Sequence, residues 1–207
     1  DRSFLDRSFA GYEVTFLGLS DLNEKLNLSS FQLFVLPYGS AFPKEAWIAV
    51  SRYLREGGNW LNLGGIPFSR PVVKVKDGWR KEVRQTAYHK KLGITQAFPV
   101  STSDIAAYHG AGALEGSNEL VDQFKAKEVY EFYVRFTSTK DFPDEDGTGG
   151  ARDARLEPLV VGVTKDGRKT AAPMIQIDRL QGDHAGGRWV LASFSGSISP
   201  NAIRSLA

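Results

Sequence analysis

The stretch FQLFVLPYGSAFPKEAWIAVSRYLREGGNWLNLGG, residues 31–65, constrains the fold more than any other part of the chain. Residues 31–39 form a nearly continuous apolar run ending in Pro-Tyr-Gly, the mark of a strand buried on both faces of a parallel sheet. Pro43 suits the first turn of a helix, and Lys44 and Glu45 follow it. Ala46, Trp47, Val50, Tyr53 and Leu54 then share one face at helical spacing. Gly57 and Gly58 end that helix where a left-handed residue is wanted. Residues 59–65 read as the next short strand. Strand, helix, strand with short links is a right-handed βαβ unit, which predicts a parallel sheet.

The flanks are less uniform. Residues 1–14 read as the end of a helix running into a strand, and YEVTFLGL (12–19) alternates as a strand should after the Gly11 turn. Beyond Pro71 the character changes. VVKVKDGWRKEV predicts two short strands around Asp77 and Gly78. Residues 85–125 read as loop with a short helix near 118–124. EVYEFYVRFTS (128–138) is strongly β in composition. Residues 140–154 read as a polar, mobile loop. LEPLVVGVTKDGRKTAAPMIQIDRL reads as strand, turn, strand, and GGRWVLASFSG (186–196) as a last buried strand. The N-terminal third is thus α/β and the rest mostly β. SPNAIRSLA reads as a helix just beginning, and the abrupt ends suggest a piece of a longer polypeptide.

Composition removes several functions. The 207 residues suffice for one large domain, or one with a sizeable insertion. Net charge is +2, too balanced to point to nucleic acid. No apolar run reaches the roughly 18 residues of a membrane span. There is no cysteine, so disulfides, thiolate metal sites and cysteine nucleophiles are absent together.

Residues 11–65 resemble the class I glutamine amidotransferase-like fold, in the non-catalytic form of trehalose-utilisation proteins and of β-galactosidase trimerisation domains. MIQIDRLQGDHAGGRWVLASFSG (174–196) looks like the tail of such domains in large bacterial glycoside-hydrolase-like proteins. The resemblance implies one α/β domain over 1–207, a doubly wound and mainly parallel sheet with antiparallel C-terminal strands, and a β-rich insertion over 72–170. It also implies a first, central strand ahead of the helix that opens this sequence. A partner segment, another chain or a gap is therefore expected where that strand would lie. A secreted or periplasmic location follows from the resemblance alone.

Catalytic members of that superfamily set a cysteine on a sharp strand-to-helix elbow. The matching turn here is at Gly64 and Gly65, which carry no side chain, so thiolate glutaminase chemistry is excluded. Ser69 lacks the Gly-x-Ser-x-Gly setting of a serine nucleophile, and Pro67 and Pro71 oppose an immediate helix. His89, His109 and His184 have no metal spacing and sit in polar contexts, which favours surface or loop roles. Asp144 and Asp146 hint at calcium, but an EF-hand loop begun at Asp144 would place Arg155 where a glutamate is needed. Glycosidase chemistry needs two converging carboxylates. Glu45, Glu128, Glu131, Glu157 and Asp178 are candidates that sequence cannot pair. Tyr130, Phe132, Tyr133 and Phe136 read as core more readily than as a sugar platform.

Open α/β sheets bind ligands at the C-terminal ends of their parallel strands. The loops arriving there, 37–42 and 64–70, supply the candidate ligand-binding residues Tyr38, Gly39, Ser40, Gly64, Gly65 and Arg70. No catalytic residue, metal ligand or cofactor is assigned. The expected role is a non-catalytic accessory domain of a carbohydrate-active protein, packing against neighbouring domains or forming a homo-oligomer. The alternatives are a carbohydrate-binding module using the two loops, and an unrecognised hydrolase. Neither nucleic acid nor membrane is an expected partner.

Overall fold

Tyr53, Leu54, Trp60 and Leu61 are buried almost completely, and they come from the helix and second strand of the predicted βαβ unit. The computed structural model describes residues 2–116, 121, 129–134, 138–139, 151–193 and 199–206. In chain order it contains α1 (Arg2–Ser8), α2 (Leu19–Lys25), β1 (Leu33–Leu36), β2 (Ala41–Pro43), a 3₁₀ turn (Lys44–Ala46), α3 (Trp47–Arg55) and β3 (Asn59–Leu63). Then come β4 (Arg70–Val75), β5 (Gly78–Lys81), α4 (Ala87–Lys91), β6 (Ile94–Val100), β7 (Ala107–Gly110), β8 (Val129–Val134), β9 (Ser138–Thr139) and β10 (Ala151–Arg152). β11 (Ala154–Val163), β12 (Lys169–Arg179), β13 (Arg188–Ala192) and α5 (Pro200–Arg204) close the chain.

The main sheet has six strands in the order β1-β3-β13-β12-β11-β7. β1 pairs parallel with β3, and β3 with β13, as the βαβ reading requires. The remaining pairings, β13 with β12, β12 with β11 and β11 with β7, are antiparallel. The sheet is therefore mixed, which corrects the expectation of a mainly parallel, doubly wound sheet. The reason is connection length. A tight turn at 164–168 joins β11 to β12, and residues 180–187 join β12 to β13. Neither link holds the dozen or more residues a parallel crossover needs. Two strands of the 72–170 stretch, β7 and β11, are built into this sheet. β2, β4 and β5 form a separate small sheet, and β6 pairs with β8.

Alternation along the strands sorts the apolar residues onto two faces. Trp60, Ile175, Ile177, Trp189 and Leu191 face one core, completed by Val50, Tyr53 and Leu54 of α3. Leu61, Leu63, Met174, Val190 and Ala192 face the other, with Phe9 and with Ala202 and Ile203 of α5. Helices thus cover both faces. Tyr53 fixes the βαβ unit from within, donating from its hydroxyl to the Phe31 and Asn59 carbonyls at 3.2 and 3.3 Å. Burial pushes its phenol up to about 12.

Residues 12–18 join no ladder, and α2 begins at Leu19. The strand expected over 12–19 does not form. The loop expected over 85–125 instead contains α4, β6 and β7. The hairpin around Asp77, the strand over 128–138 (as β8) and the last strand at 188–192 lie as expected. The short helix near 118–124, apart from Val121, lies outside the described residues, as do Glu128, Phe136, the 140–150 loop with Asp144 and Asp146, and residues 194–198.

Beside Trp189, the Arg179 guanidinium lies 4.3 Å from the indole centroid, and the His184 ring meets it edge-on at 5.2 Å. Burial, with the charges of Arg179 and Arg55 nearby, pushes His184 down to about 4, against the opposing pull of Asp183 and Asp153. The unfolded chain takes up this proton near the ordinary 6.5, the folded chain only near 4. The stability carried by neutral His184 is therefore complete above pH 6.5 and is lost as pH falls toward 4. Thermal melts from pH 7 to 4 are expected to show a falling midpoint whose slope flattens in His184→Gln; an unchanged slope would remove His184 as the cause.

Candidate functional site

β3 ends at Leu63, and the chain turns at once through Gly64 (φ 79°) and Gly65 (φ 67°), a conformation only glycine adopts freely. The Gly64 N–H donates to the Ala192 carbonyl at 2.7 Å, so the turn is tied to the end of β13. The buried Asn62 side chain turns its amide toward the Gly64 and Gly65 carbonyls, both at 3.5 Å. From the other side comes Gly39 (φ 57°), in the loop after β1. A Cβ built on Gly39 would lie 1.3 Å from the Gly64 carbonyl oxygen. The two loops therefore meet backbone to backbone. The Arg70 N–H donates to the Ser40 carbonyl at 2.7 Å and begins the parallel pairing of β2 with β4.

The six candidate residues are thus brought together, as the strand ends require. Their backbones make the contacts. Tyr38 is the outlier, 72% exposed at the crest of its loop.

The remainder of the 64–70 loop goes inward. Ile66, Phe68 and Ser69 are buried, Phe68 completely. Phe68 has φ 52°, the one left-handed non-glycine among the described residues. Its ring stacks on Trp60 at 4.9 Å and meets Phe42 and Trp47 edge-on at 5.1 and 5.4 Å. Tyr88 of α4 extends this cluster through Phe42 and Trp47. A bulky residue held in that backbone region needs such surroundings to keep it there. Ser69 is 1% exposed and donates to the Ile66 carbonyl at 3.0 Å, which describes a turn-stabilising hydroxyl rather than a nucleophile.

Of the carboxylate candidates, Glu45, Glu157 and Asp178 have described side chains. Glu45 is exposed in the 3₁₀ turn before α3. Asp178 sits in the sheet directly opposite Arg155 on β11 and Arg188 on β13, and accepts from them at 2.8 and 2.7 Å. Burial raises its pKa, but the hydrogen bonds from Arg155, Arg188 and Gln176 outweigh this and hold it below the ordinary value. It is the centre of a cross-strand Arg–Asp–Arg row, facing guanidiniums rather than a second carboxylate. Glu157 pairs with Gln176 in the ladder. Among the described residues, no cluster of three His, Asp or Glu is placed to hold a metal.

One histidine departs from expectation. His89 is 2% exposed in the middle of α4, where burial lowers its pKa. His184 packs on Trp189 as described, and His109 alone is exposed, on β7. The polar neighbours of His89 in sequence are Lys90 and Lys91, which a short helix turns to solvent while its histidine turns inward. The aromatic cluster around Phe68 was not read from sequence. Its signal was the density of aromatic residues at Phe42, Trp47, Trp60, Phe68 and Tyr88.

The Gly39→Ala and Gly65→Ala variants separate close packing from simple backbone strain. Both force an L residue into the left-handed region, about 1–2 kcal/mol each. Only at Gly39 does the new methyl also strike backbone, whereas at Gly65 its nearest neighbour is Ser40 at 3.4 Å. Urea unfolding is expected to show the larger loss for Gly39→Ala, by at least about 1 kcal/mol of overpacking. Equal losses would mean that the loops part easily.

The chain matches no protein-family model and no curated protein.

Proposed function

We propose that this chain is a non-catalytic accessory domain of a larger carbohydrate-active protein, of the amidotransferase-like kind that residues 11–65 and 174–196 resemble. Its work is to pack against neighbouring domains or to assemble with copies of itself. The observation that carries this reading is the contact between Gly39 and Gly64. The site where the superfamily would place a nucleophile, and where an open α/β sheet would hold a ligand, is occupied by the chain's own backbone. Beneath it, the loop is filled by the Phe68 ring. Between Gly39 and Gly64 there is no room for a side chain, and the two loops form part of the wall of a groove of about 1800 Å³ that runs on along β1.

The exposed Tyr38 side chain favours one second reading, a shallow carbohydrate-binding surface on loops 37–42 and 64–70. An exposed aromatic face beside polar backbone can stack on a sugar ring without a cavity. Incubating the purified chain with glutamine and with a panel of oligosaccharides is expected to give no hydrolysis above buffer. Titration of the same sugars, followed by the Tyr38 resonances, is expected to give no saturable shift at millimolar concentration. Hydrolysis would overturn the non-catalytic reading. Saturable binding abolished by Tyr38→Ala would replace it with the second.

A further inference from the structure

The four tryptophans of the chain divide unequally. Trp60 and Trp189 are wholly buried, and Trp47 packs in the aromatic cluster around Phe68. Trp79 is 51% exposed, on a strand, β5, whose four residues are all exposed. It belongs to neither core, and no ring contact holds it among the described residues. Charge is divided as unequally. Residues 70–91 hold eight Lys and Arg against two Asp and Glu, so the near-balance of the whole chain conceals a strongly basic segment and a net acidic remainder.

The β4–β5 hairpin sorts these residues. Its rungs are Val72 with Lys81, Val73 with Arg80, Lys74 with Trp79 and Val75 with Gly78. Opposite residues share a face, and successive ones alternate. One face therefore carries Lys74, Trp79 and Lys81, with Arg70 on the same side at the base of β4. Lys74 stands directly across from Trp79, and Lys81 lies diagonally from Lys74, about 7–8 Å away. Neither acid shares this face. Asp77 sits in the turn, and Glu82 follows Lys81 on the other face, where Lys44 holds it at 3.1 Å. Lys74, Lys76, Arg80 and Lys81 are exposed and make no ion pair among the described residues. The ribbon is anchored at its base, since β4 pairs with β2 and the Glu82 N–H donates to the Pro71 carbonyl at 2.9 Å.

A partner for this face must offer a flat ring to the indole and fixed negative charges beside it. A bilayer fits poorly, because Asp77 is at the tip that would enter it, while Trp79 stands on the flat of the ribbon. A single nucleic-acid strand fits poorly too, because proteins that bind one set several aromatic platforms in a row for successive bases, and this face has one. A chain of sugar acids supplies both features. The C–H face of a pyranose ring lies flat on an indole, and carboxylates repeat along the chain to meet the ammonium groups. We propose that the outer face of the β4–β5 hairpin, centred on Trp79 between Lys74 and Lys81, is a docking surface for an acidic polysaccharide built of uronic acids. The small sheet carries this surface and Tyr38 does not, and it holds whether or not the accessory role proposed above does.

The test titrates polygalacturonate fragments into the 207-residue chain and follows the Trp79 indole N–H and the Lys74 and Lys81 amides by NMR. Saturable shifts centred on these groups are expected, fading toward about 1 M salt, where screening acts within about 3 Å. Trp79→Ala, and separately the pair Lys74→Glu and Lys81→Glu, are each expected to weaken binding about ten-fold or more. All three positions are exposed, so the melting midpoint is expected to stay where it is. Tyr38→Ala is expected to bind as the parent does. Methyl-esterified fragments keep the ring and lose the charge, and are expected to bind far more weakly. No saturable shift, equal binding of the esterified form, or full binding by either variant would overturn the proposal. Tighter binding to oligo(dT), or to phosphatidylglycerol vesicles, would overturn it as well, and would assign the face to a nucleic acid or to a membrane.

Discussion

Phe68 is the constraint on which the rest of the structure hangs. Its backbone is left-handed, a costly choice for an aromatic residue, and its ring is wholly buried against Trp60, Phe42 and Trp47. Each partner comes from a different element: Trp60 from β3, Phe42 from β2, Trp47 from the start of α3. One side chain therefore joins the main sheet, the small sheet and the helix between them. The chain leaving Phe68 enters β4, which pairs parallel with β2 and is tied back to Ser40 by the Arg70 N–H. The loop at the end of β3 is a plug in the core, and the two glycines before it let the backbone turn sharply enough for the plug to reach.

That plug decides how the end of the sheet can be used. In an open α/β sheet the crevice at the strand ends exists because the loops diverge. Here they converge until the Gly39 and Gly64 backbones touch. The ionisable groups buried elsewhere serve the sheet itself. Asp178 pairs with two guanidiniums in a row across three strands, and Arg179 and His184 pack on Trp189. The shifts of Asp178, Arg179 and His184 arise from burial and from these contacts within the sheet.

Much of the fold was legible in local pattern. The helical face of Ala46, Val50, Tyr53 and Leu54 is buried as its spacing implies, and Gly57 ends that helix at φ 93°. The hairpins at 70–81 and 154–179 follow from turn residues and alternation. The segment 12–19 has the alternation of a strand and still does not form one, because a strand needs a ladder partner and it has none among the described residues. The mainly parallel sheet failed for another reason. The antiparallel C-terminal strands form as expected, but in the same sheet as β1 and β3, and with β7 they outnumber the parallel pairings. His89 failed because polar sequence neighbours on a short helix do not share its direction.

The sequence by itself determined the elements and the absence of thiol chemistry. These depend on periodicity, turn residues and composition, all of which are local. It also placed Tyr38, Gly39, Ser40, Gly64, Gly65 and Arg70 at one end of the sheet, since strand ends are set by the same local rules. Only the tertiary structure decided what those residues do there. Whether two loops enclose a ligand or close on each other depends on distances of a few ångströms between segments far apart in the chain. Here that distance is set by Phe68, whose ring draws one loop inward until its turn rests on the other. The same holds for the outer edge of β1: its apolar residues are written in the sequence, but that this edge has no ladder partner among the described residues is a fact of the assembled sheet.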